Sequence, residues 1–156
     1  MARAICHRLK LSNEECRSLE RIVLWHLRPG YLAGNPRPTK RAIFRYFRDT
    51  GNDALGVLLL SLADQRATKG PLATALSRTR HEKTIKALRR KLLKKNSQKK
   101  LIRLLNGNEI MDKFKLPATP LIGKVLGELE EAQDIGKIKN KVEALALAVK
   151  IIKQQK

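Results

Sequence analysis

The chain has few cysteines, few aromatic residues and no long apolar run, and each shortage excludes a class of protein. Its two cysteines, Cys6 and Cys16, are too few for a disulfide framework or a zinc site, so we expect both to stay reduced. No uninterrupted apolar stretch approaches the ~18–20 residues of a membrane span, and no apolar signal segment follows the N-terminus. We therefore expect a cytoplasmic protein that has no membrane partner.

Catalytic motifs are missing as well. The sequence contains no P-loop, no glycine-rich nucleotide turn and no Asp-x-Asp pair, and none of its serines lies in a nucleophile elbow. His26 and Asp64 are the one His/Asp pair on helices that are expected to touch. They could supply two metal ligands, whereas a catalytic site needs about three. The simpler interpretation, which we favour, is a packed or capping His26 and a hydrogen-bonded Asp64.

Positive charge, by contrast, is abundant and localised. Lys and Arg number 34 against 14 Asp and Glu, which gives a formal net charge of +20 over 156 residues. A single acid, Glu82, interrupts one basic cluster, which consists of Arg78, Arg80, Lys83, Lys86, Arg89, Arg90, Lys91, Lys94, Lys95, Lys99, Lys100 and Arg103. Because such a cluster repels itself, a polyanionic partner is expected, and nucleic acid is the leading candidate. The alternative is a solvated basic helix without a specific partner.

Composition and periodicity predict an all-α fold. Apolar residues make up 42% of the chain, enough for a core, and good helix formers dominate the composition. A capping box at residues 12–15 starts a helix that is expected to run to about residue 27, where residues 28–30 stop it. Thr39 is the expected N-cap of the next helix. Between residues 52 and 68 apolar side chains cover nearly the whole circumference, which predicts a buried central helix.

The second half of the chain is predicted to contain four further helices. A basic helix spans residues 79–95 around a narrow apolar stripe, and a short helix follows at residues 108–114. Thr119 and Pro120 are the expected N-cap and first residue of the third helix. The apolar stripe of the last helix consists of Val142, Leu145, Ala146, Val149 and Ile152. The last two helices are expected to form a helical hairpin.

Several residues suit RNA binding. Lys83, Lys86 and Arg90 share one helical face at i, i+3 and i+7, so that face can follow a phosphate backbone. Gly123 at a helix N-terminus leaves room for a phosphate beside Lys124, although this glycine would serve close helix packing equally well. Aromatic residues make up only 4% of the chain, which favours recognition of shape and phosphate over base sequence. The candidate RNA-binding residues are Arg78, Arg80, Lys83, Lys86, Arg89, Arg90, Lys91, Lys94, Gly123 and Lys124.

Five segments, in the same order along the chain, carry a resemblance to a known family. The segments HLRPGYL (residues 26–32), RAIFRYFRDTG (41–51) and LLLSLAD (58–64) resemble the later part of the HD-type domain in bacterial CCA-adding tRNA nucleotidyltransferases and poly(A) polymerases. The segments LNGNEIM (105–111) and PLIGKVL (120–126) resemble the C-terminal RNA-binding region of the same family. Asp64 matches the family's last HD aspartate.

The resemblance implies two small helical subdomains that hold RNA, most naturally tRNA. Residues 1–70 would be the C-terminal portion of an incomplete HD-type helical domain. Residues 71–156 would be a basic helix and a helical RNA-binding region that ends in a hairpin. The family's catalytic head, with its Gly-Ser turn and metal-binding aspartates, is not in the sequence, so no catalysis is expected from this chain alone. Mg2+ and ATP or CTP are implied only for a missing or separate catalytic head.

Three functions stand as hypotheses. The first is tRNA binding in 3′-end processing by this body and tail region. The second is a remnant of a metal-dependent HD-type phosphohydrolase, with His26 and Asp64 as metal ligands. The third is an assembly module that completes a separate catalytic chain, and it predicts exposed apolar surface around Ile22, Val23 and Trp25.

Overall fold

The structure, a computed structural model, confirms the predicted all-α fold. It describes residues 2–34, 38–70, 73–97 and 102–154, and within these ranges it contains α-helices, one 3-10 turn at Gly51–Asp53 and no β-strand. None of the helices in these ranges is long and apolar enough to cross a membrane. The helices are α1 (Ala2–Arg8), α2 (Asn13–Trp25), α3 (Arg28–Gly34), α4 (Lys40–Thr50), α5 (Ala54–Ala67), α6 (Ala75–Ser97), α7 (Gly107–Phe114), α8 (Pro120–Asp134) and α9 (Lys141–Lys153).

Two compact units divide the chain: residues 1–99 with α1 to α6, and residues 100–156 with α7 to α9. The predicted boundary lay after residue 70, ahead of the basic helix. The structure places it later because that helix, α6, packs against α3 and α5 and contributes Ile85 and Leu88 to the first core. The basic helix therefore belongs to the first unit, and the second unit has a core of its own.

Local capping signals place several helix ends as predicted. The Ser12 hydroxyl accepts from the Glu15 amide at 3.3 Å, and the Glu15 carboxylate accepts from the Ser12 amide at 2.8 Å, which completes the capping box of α2. The Thr39 hydroxyl caps α4 by accepting from the Ala42 amide at 3.1 Å. At the start of α8, proline occupies the first helical position as predicted, without a side-chain cap from the residue before it.

A short helix, α3, forms where residues 28–30 were expected only to end the preceding helix. Helix α2 ends at Trp25, and α3 starts at Arg28 with Pro29 in its first turn, where proline removes no helical hydrogen bond. The Arg28 guanidinium binds the Asp49 carboxylate of α4 and lies 4.7 Å from the Trp25 ring centroid. These contacts hold α3 against its neighbours, so that Leu32 is buried in the first core.

Helix α5 is buried on one face only, so the prediction of a helix buried all round is wrong. Val57 and Leu58 are fully buried, whereas Leu55 is 48% exposed and Leu59 is 60% exposed. The buried face packs against α2, α3, α4 and α6. The sequence of α5 is apolar on every side, and only the positions of its neighbours determine which side is covered.

The apolar surface predicted around α2 is present in part. Val23 is largely exposed, but Ile22 and Trp25 are half-buried and pack against the first core. Ile22 reaches α5 at Gly56, where an added Cβ would lie 2.7 Å from the Ile22 Cδ1 atom. A side chain at position 56 would therefore require the Ile22 side chain to move.

The hairpin of α8 and α9 is confirmed, but α9 buries a different face from the predicted one. The two helices pack against each other. Val142 is 77% exposed and Val149 is also exposed, whereas Ala144 and Ala148 are fully buried. Small alanine side chains let the α9 backbone approach its neighbours closely, so packing favours the alanine side of the helix over the valine side. Of the predicted stripe, Ile152 is the one residue that is buried.

Candidate nucleic-acid interface

Helix α6 separates an apolar face from a basic face. His81, Ile85 and Leu88 are buried and share one side of the helix. The cations on the opposite side, which we call the basic face of α6, are Lys83, Lys86, Arg90 and Lys94. The other predicted RNA-binding cations of this helix are exposed on its flanks: Arg78, Arg80, Arg89 and Lys91. All eight predicted cations of α6 are therefore exposed, four on the basic face and four on its two flanks.

Most of this charge is not neutralised. The one acid of the helix, Glu82, is engaged by Arg66 of α5 at 3.3 Å. Because α6 is packed against the core, the spacing between its unpaired cations is constant. Such a row suits contacts with a phosphate backbone. Within the described ranges, the cations that make no side-chain hydrogen bond or ion pair include Lys83, Lys86, Arg89, Arg90 and Lys91.

The end of the basic cluster is divided between the two units. The Lys95 ammonium lies 5.6 Å from the Phe47 ring centroid, a cation–π contact within the first unit. Arg103 belongs to the second unit, where it pairs with Glu130 at 3.1 Å. The two remaining members of the predicted cluster, Lys99 and Lys100, lie outside the described residues.

Charge is distributed unequally between the two units. The first unit carries 23 Lys and Arg against 7 Asp and Glu, a net charge of +16. The second unit carries 11 Lys and Arg against 7 Asp and Glu, a net charge of +4. The attraction for a polyanion is therefore concentrated on the unit that contains α6.

Gly123 and Lys124 lie in the second unit, whereas the basic face of α6 belongs to the first. Both are exposed near the start of α8. A Cβ added to Gly123 would meet no atom within 4 Å, so the glycine is not needed for close helix packing. However, Lys124 is the one cation on a helix that also carries four acids, Glu128, Glu130, Glu131 and Asp134. We therefore rank this position below the basic face of α6.

His26 and Asp64 form hydrogen bonds with different partners. The His26 ring donates from Nδ1 to the Val23 carbonyl at 2.6 Å, so the imidazole caps the end of α2, as the simpler interpretation predicted. The Asp64 carbonyl accepts from the Thr68 hydroxyl at 2.8 Å, but its carboxylate has no hydrogen-bond partner among the described residues. In the same part of the chain, no group of three or more His, Cys, Asp or Glu side chains could hold a metal ion.

Asp64 instead borders a cavity between α3, α5 and α6, which we call the polar pocket. Its volume is about 360 Å³. All three helices belong to the first unit, and α6 supplies both a wall of the pocket and the basic face. The residues that line the pocket include Gly30, Ala33, Ser61, Gln65, Arg80 and His81.

His81 is the buried polar centre of the pocket. Its Nε2 atom lies 3.1 Å from the Ser61 hydroxyl, while its Nδ1 atom has no hydrogen-bond partner within the described ranges, and the same holds for Gln65 Oε1. Burial lowers the pKa of His81 below its ordinary 6.5, an effect that the charges of Asp64 and Glu82 partly oppose. The imidazole is therefore neutral at physiological pH and can donate from one nitrogen and accept at the other.

Ser61 and His81 do not form a nucleophile–base pair for acyl transfer. Ser61 is 4% exposed and lies inside α5, where the neighbouring backbone amides already bond within the helix. Acyl transfer needs free donors beside the nucleophile to bind the developing oxyanion. The arrangement supports binding of a ligand rather than covalent catalysis.

His81, Ser61 and Gln65 were not predicted as functional residues. A signal for His81 was present, since it lies on the same stripe as Ile85 and Leu88 and must be buried with them. Ser61 and Gln65 have no comparable signal, because the pocket exists only where α5 passes α3 and α6.

Comparison with known proteins does not identify a family for this chain. No protein-family model matches it, and no similar curated protein or solved structure was found.

Proposed function

We propose that this chain binds RNA through the basic face of α6, as the body and tail region of a tRNA nucleotidyltransferase-like assembly. The observation that carries the proposal is the row of three unpaired cations, Lys83, Lys86 and Arg90, on a helix whose other side is fixed in the first core. The RNA that we propose is tRNA, bound for 3′-end processing in the cytoplasm. The chain would act without catalysis of its own. Chemistry with Mg2+ and ATP or CTP would belong to a separate head chain, which is the proposed protein partner.

The spacing of the basic face suits a phosphate backbone. With a rise of 1.5 Å per residue, Lys83 and Arg90 are about 10 Å apart along the helix axis, and Lys86 lies between them on the same side. Side chains of this length can therefore meet successive phosphates of one strand. Each phosphate that is neutralised releases counterions, so binding through this surface must weaken steeply as salt rises.

The choice of tRNA has two supports. The first is the resemblance of the five segments to the nucleotidyltransferase family, which extends over both units in order. The second is the scarcity of stacking platforms, since Tyr31 is the one exposed aromatic side chain among the described residues. A surface that contacts mainly phosphates recognises the shape of an RNA and not its base sequence. It therefore favours a folded RNA as the ligand.

A salt series with a matched charge control tests this proposal. Fluorescence anisotropy measures the affinity for a tRNA and for a duplex DNA of similar charge, in the wild-type protein and in two triple variants. The test variant is Lys83→Glu, Lys86→Glu and Arg90→Glu. The control changes three exposed cations of the same unit that lie outside α6, as Arg3→Glu, Arg17→Glu and Lys40→Glu. Both variants change the net charge equally, so they separate the basic face from overall charge.

We expect the test variant to weaken tRNA binding at least about tenfold and to reduce the slope of log K against log salt by about 2 to 3, with little change in the control. A preference for tRNA over duplex DNA at moderate salt would support the choice of tRNA. Equal losses in the two variants would show that overall charge, not the basic face of α6, binds nucleic acid. Equal affinity for tRNA and DNA would remove tRNA as the specific ligand.

A further inference from the structure

The polar pocket contains two buried polar atoms that lack hydrogen-bond partners. Buried side-chain nitrogens and oxygens are almost always hydrogen-bonded in folded proteins. Here His81 Nδ1 and Gln65 Oε1 are both buried and unpartnered within the described ranges, and both residues line the same cavity. His81 is 4% exposed, so bulk water does not satisfy its ring. Both residues line the cavity, so a ligand with polar groups of its own would satisfy them there.

The walls of the pocket suit a flat, largely apolar ligand. Its volume of about 360 Å³ lies within the range of small-molecule sites. Helix α3 lines it with Gly30, Ala33 and Gly34 instead of large side chains. A Cβ added to either glycine would meet no atom within 4 Å, so this wall is open. A planar ring can lie against such a wall while its edge faces Gln65 and His81.

The charges around the pocket argue against an anion in its interior. The lining has one cation, Arg80, and one carboxylate, Asp64, and its imidazole is neutral. These side chains favour a ligand whose bound part is neutral and carries both hydrogen-bond donors and acceptors. A carboxamide such as that of Gln65 pairs with the donor and acceptor of an adenine edge, and proteins commonly read unpaired bases in pockets of this kind.

The pocket adjoins the basic face through α6. Arg80 and His81 line the pocket, and Lys83 follows them within one helical turn at the start of the basic face. A base inside the pocket would leave its phosphate near Arg80, on the flank of α6 between the pocket and this row of cations. No aromatic platform is needed, because the ring is held between apolar walls and polar edges.

We propose that the polar pocket binds an unpaired nucleobase, with Gln65 and His81 contacting its edge. The base can come from a free nucleotide or from an RNA strand whose backbone lies on the basic face of α6. The RNA source rests on the proposed function, whereas binding of a free nucleotide does not. The pocket would add base recognition to a surface that otherwise contacts phosphates.

Binding to single-stranded RNA with and without bases tests the proposal. The probes are an oligoadenylate, an abasic ribose-phosphate oligomer of the same length and charge, and adenosine monophosphate. The full chain is compared with Gln65→Met, which removes the carboxamide but keeps the shape, and with Gly30→Leu, which fills the pocket. The matched control is Gly127→Leu on α8, where an added Cβ also meets no atom within 4 Å.

We expect oligoadenylate to bind about tenfold more tightly than the abasic oligomer. Gln65→Met and Gly30→Leu should each remove this difference without changing the salt slope, and Gly127→Leu should preserve it. Shifts of the Gln65 and His81 NMR signals on adding adenosine monophosphate, without a preference for oligoadenylate, would support a free nucleotide as the source.

Two other outcomes are distinguishable. Equal binding of the oligoadenylate and the abasic oligomer, without NMR shifts at Gln65 and His81, would overturn the nucleobase proposal while leaving RNA binding through α6 intact. Absence of salt-dependent binding to any polymer would overturn the proposed function. In that case, NMR shifts with adenosine monophosphate would still support the pocket.

Discussion

His81 places a titratable group inside the first unit. Its imidazole is hydrogen-bonded to the Ser61 hydroxyl through Nε2. The side chain lines the polar pocket and is buried. Burial disfavours the charged imidazolium, which lowers the pKa of this residue in the folded protein. Protonation of His81 must therefore oppose folding.

We expect the free energy of unfolding to decrease as pH falls below about 6.5. Above that pH the imidazole is neutral in both states. Below that pH His81 binds a proton in the unfolded chain but stays neutral in the folded protein, which favours unfolding. This loss of stability continues until the pH reaches the lower pKa of the folded state. Urea unfolding in steps from about pH 8 to about pH 5 measures the effect. Asp49 and Glu109 also have lowered pKa values, but their stabilisation is lost only below their ordinary values of 3.8 and 4.5.

A pair of variants isolates the contribution of His81. His81→Gln keeps a hydrogen-bonding group beside Ser61 but does not titrate, so the decrease in stability over this pH range should disappear. His7→Gln changes an exposed histidine and should retain the decrease. An unchanged decrease in His81→Gln would show that another group is responsible.

At the scale of elements, periodicity predicted the buried side of α6 but not of α5 or α9. Helix α6 has one narrow apolar stripe, so Ile85 and Leu88 could face the core in only one way. Apolar residues occur on every side of α5 and α9, and the packing of neighbouring helices then determines which side is buried. Capping was more predictable, because Ser12 and Thr39 act on amides only three residues away.

Two adjacent leucines of α5 test the one-sided burial of this helix. Leu58 is 1% exposed and belongs to the first core, whereas Leu59 is 60% exposed. We expect Leu58→Ala to lower the free energy of unfolding by about 2–5 kcal/mol, because it leaves a cavity. Leu59→Ala should change it by less than about 0.5 kcal/mol. Urea denaturation measures both, and similar losses would mean that α5 is covered on both sides.

At the scale of the whole molecule, the position of the unit boundary changes the functional interpretation. A boundary after residue 70 would place the basic helix with α8 and Lys124, as the sequence suggested. The boundary after residue 99 places it with α3 and α5, in the unit with net charge +16. The cations could be predicted from the sequence because Lys and Arg opposite an apolar stripe are exposed. The polar pocket could not be predicted, because three helices that are distant in sequence form it.

Cross-linking tests which unit carries the RNA. Because the first unit holds both the greater net charge and the unpaired cations of α6, ultraviolet cross-linking of the full chain to tRNA should yield mainly peptides of α6 and few peptides containing Lys124. Mass spectrometry of the digested complex identifies them. The variant with Lys83, Lys86 and Arg90 changed to Glu should lose the α6 cross-links, since the backbone contacts that hold the RNA there would be repelled. Cross-links concentrated at Lys124 would instead place the RNA at the start of α8, and the second unit would then be the main RNA-binding region.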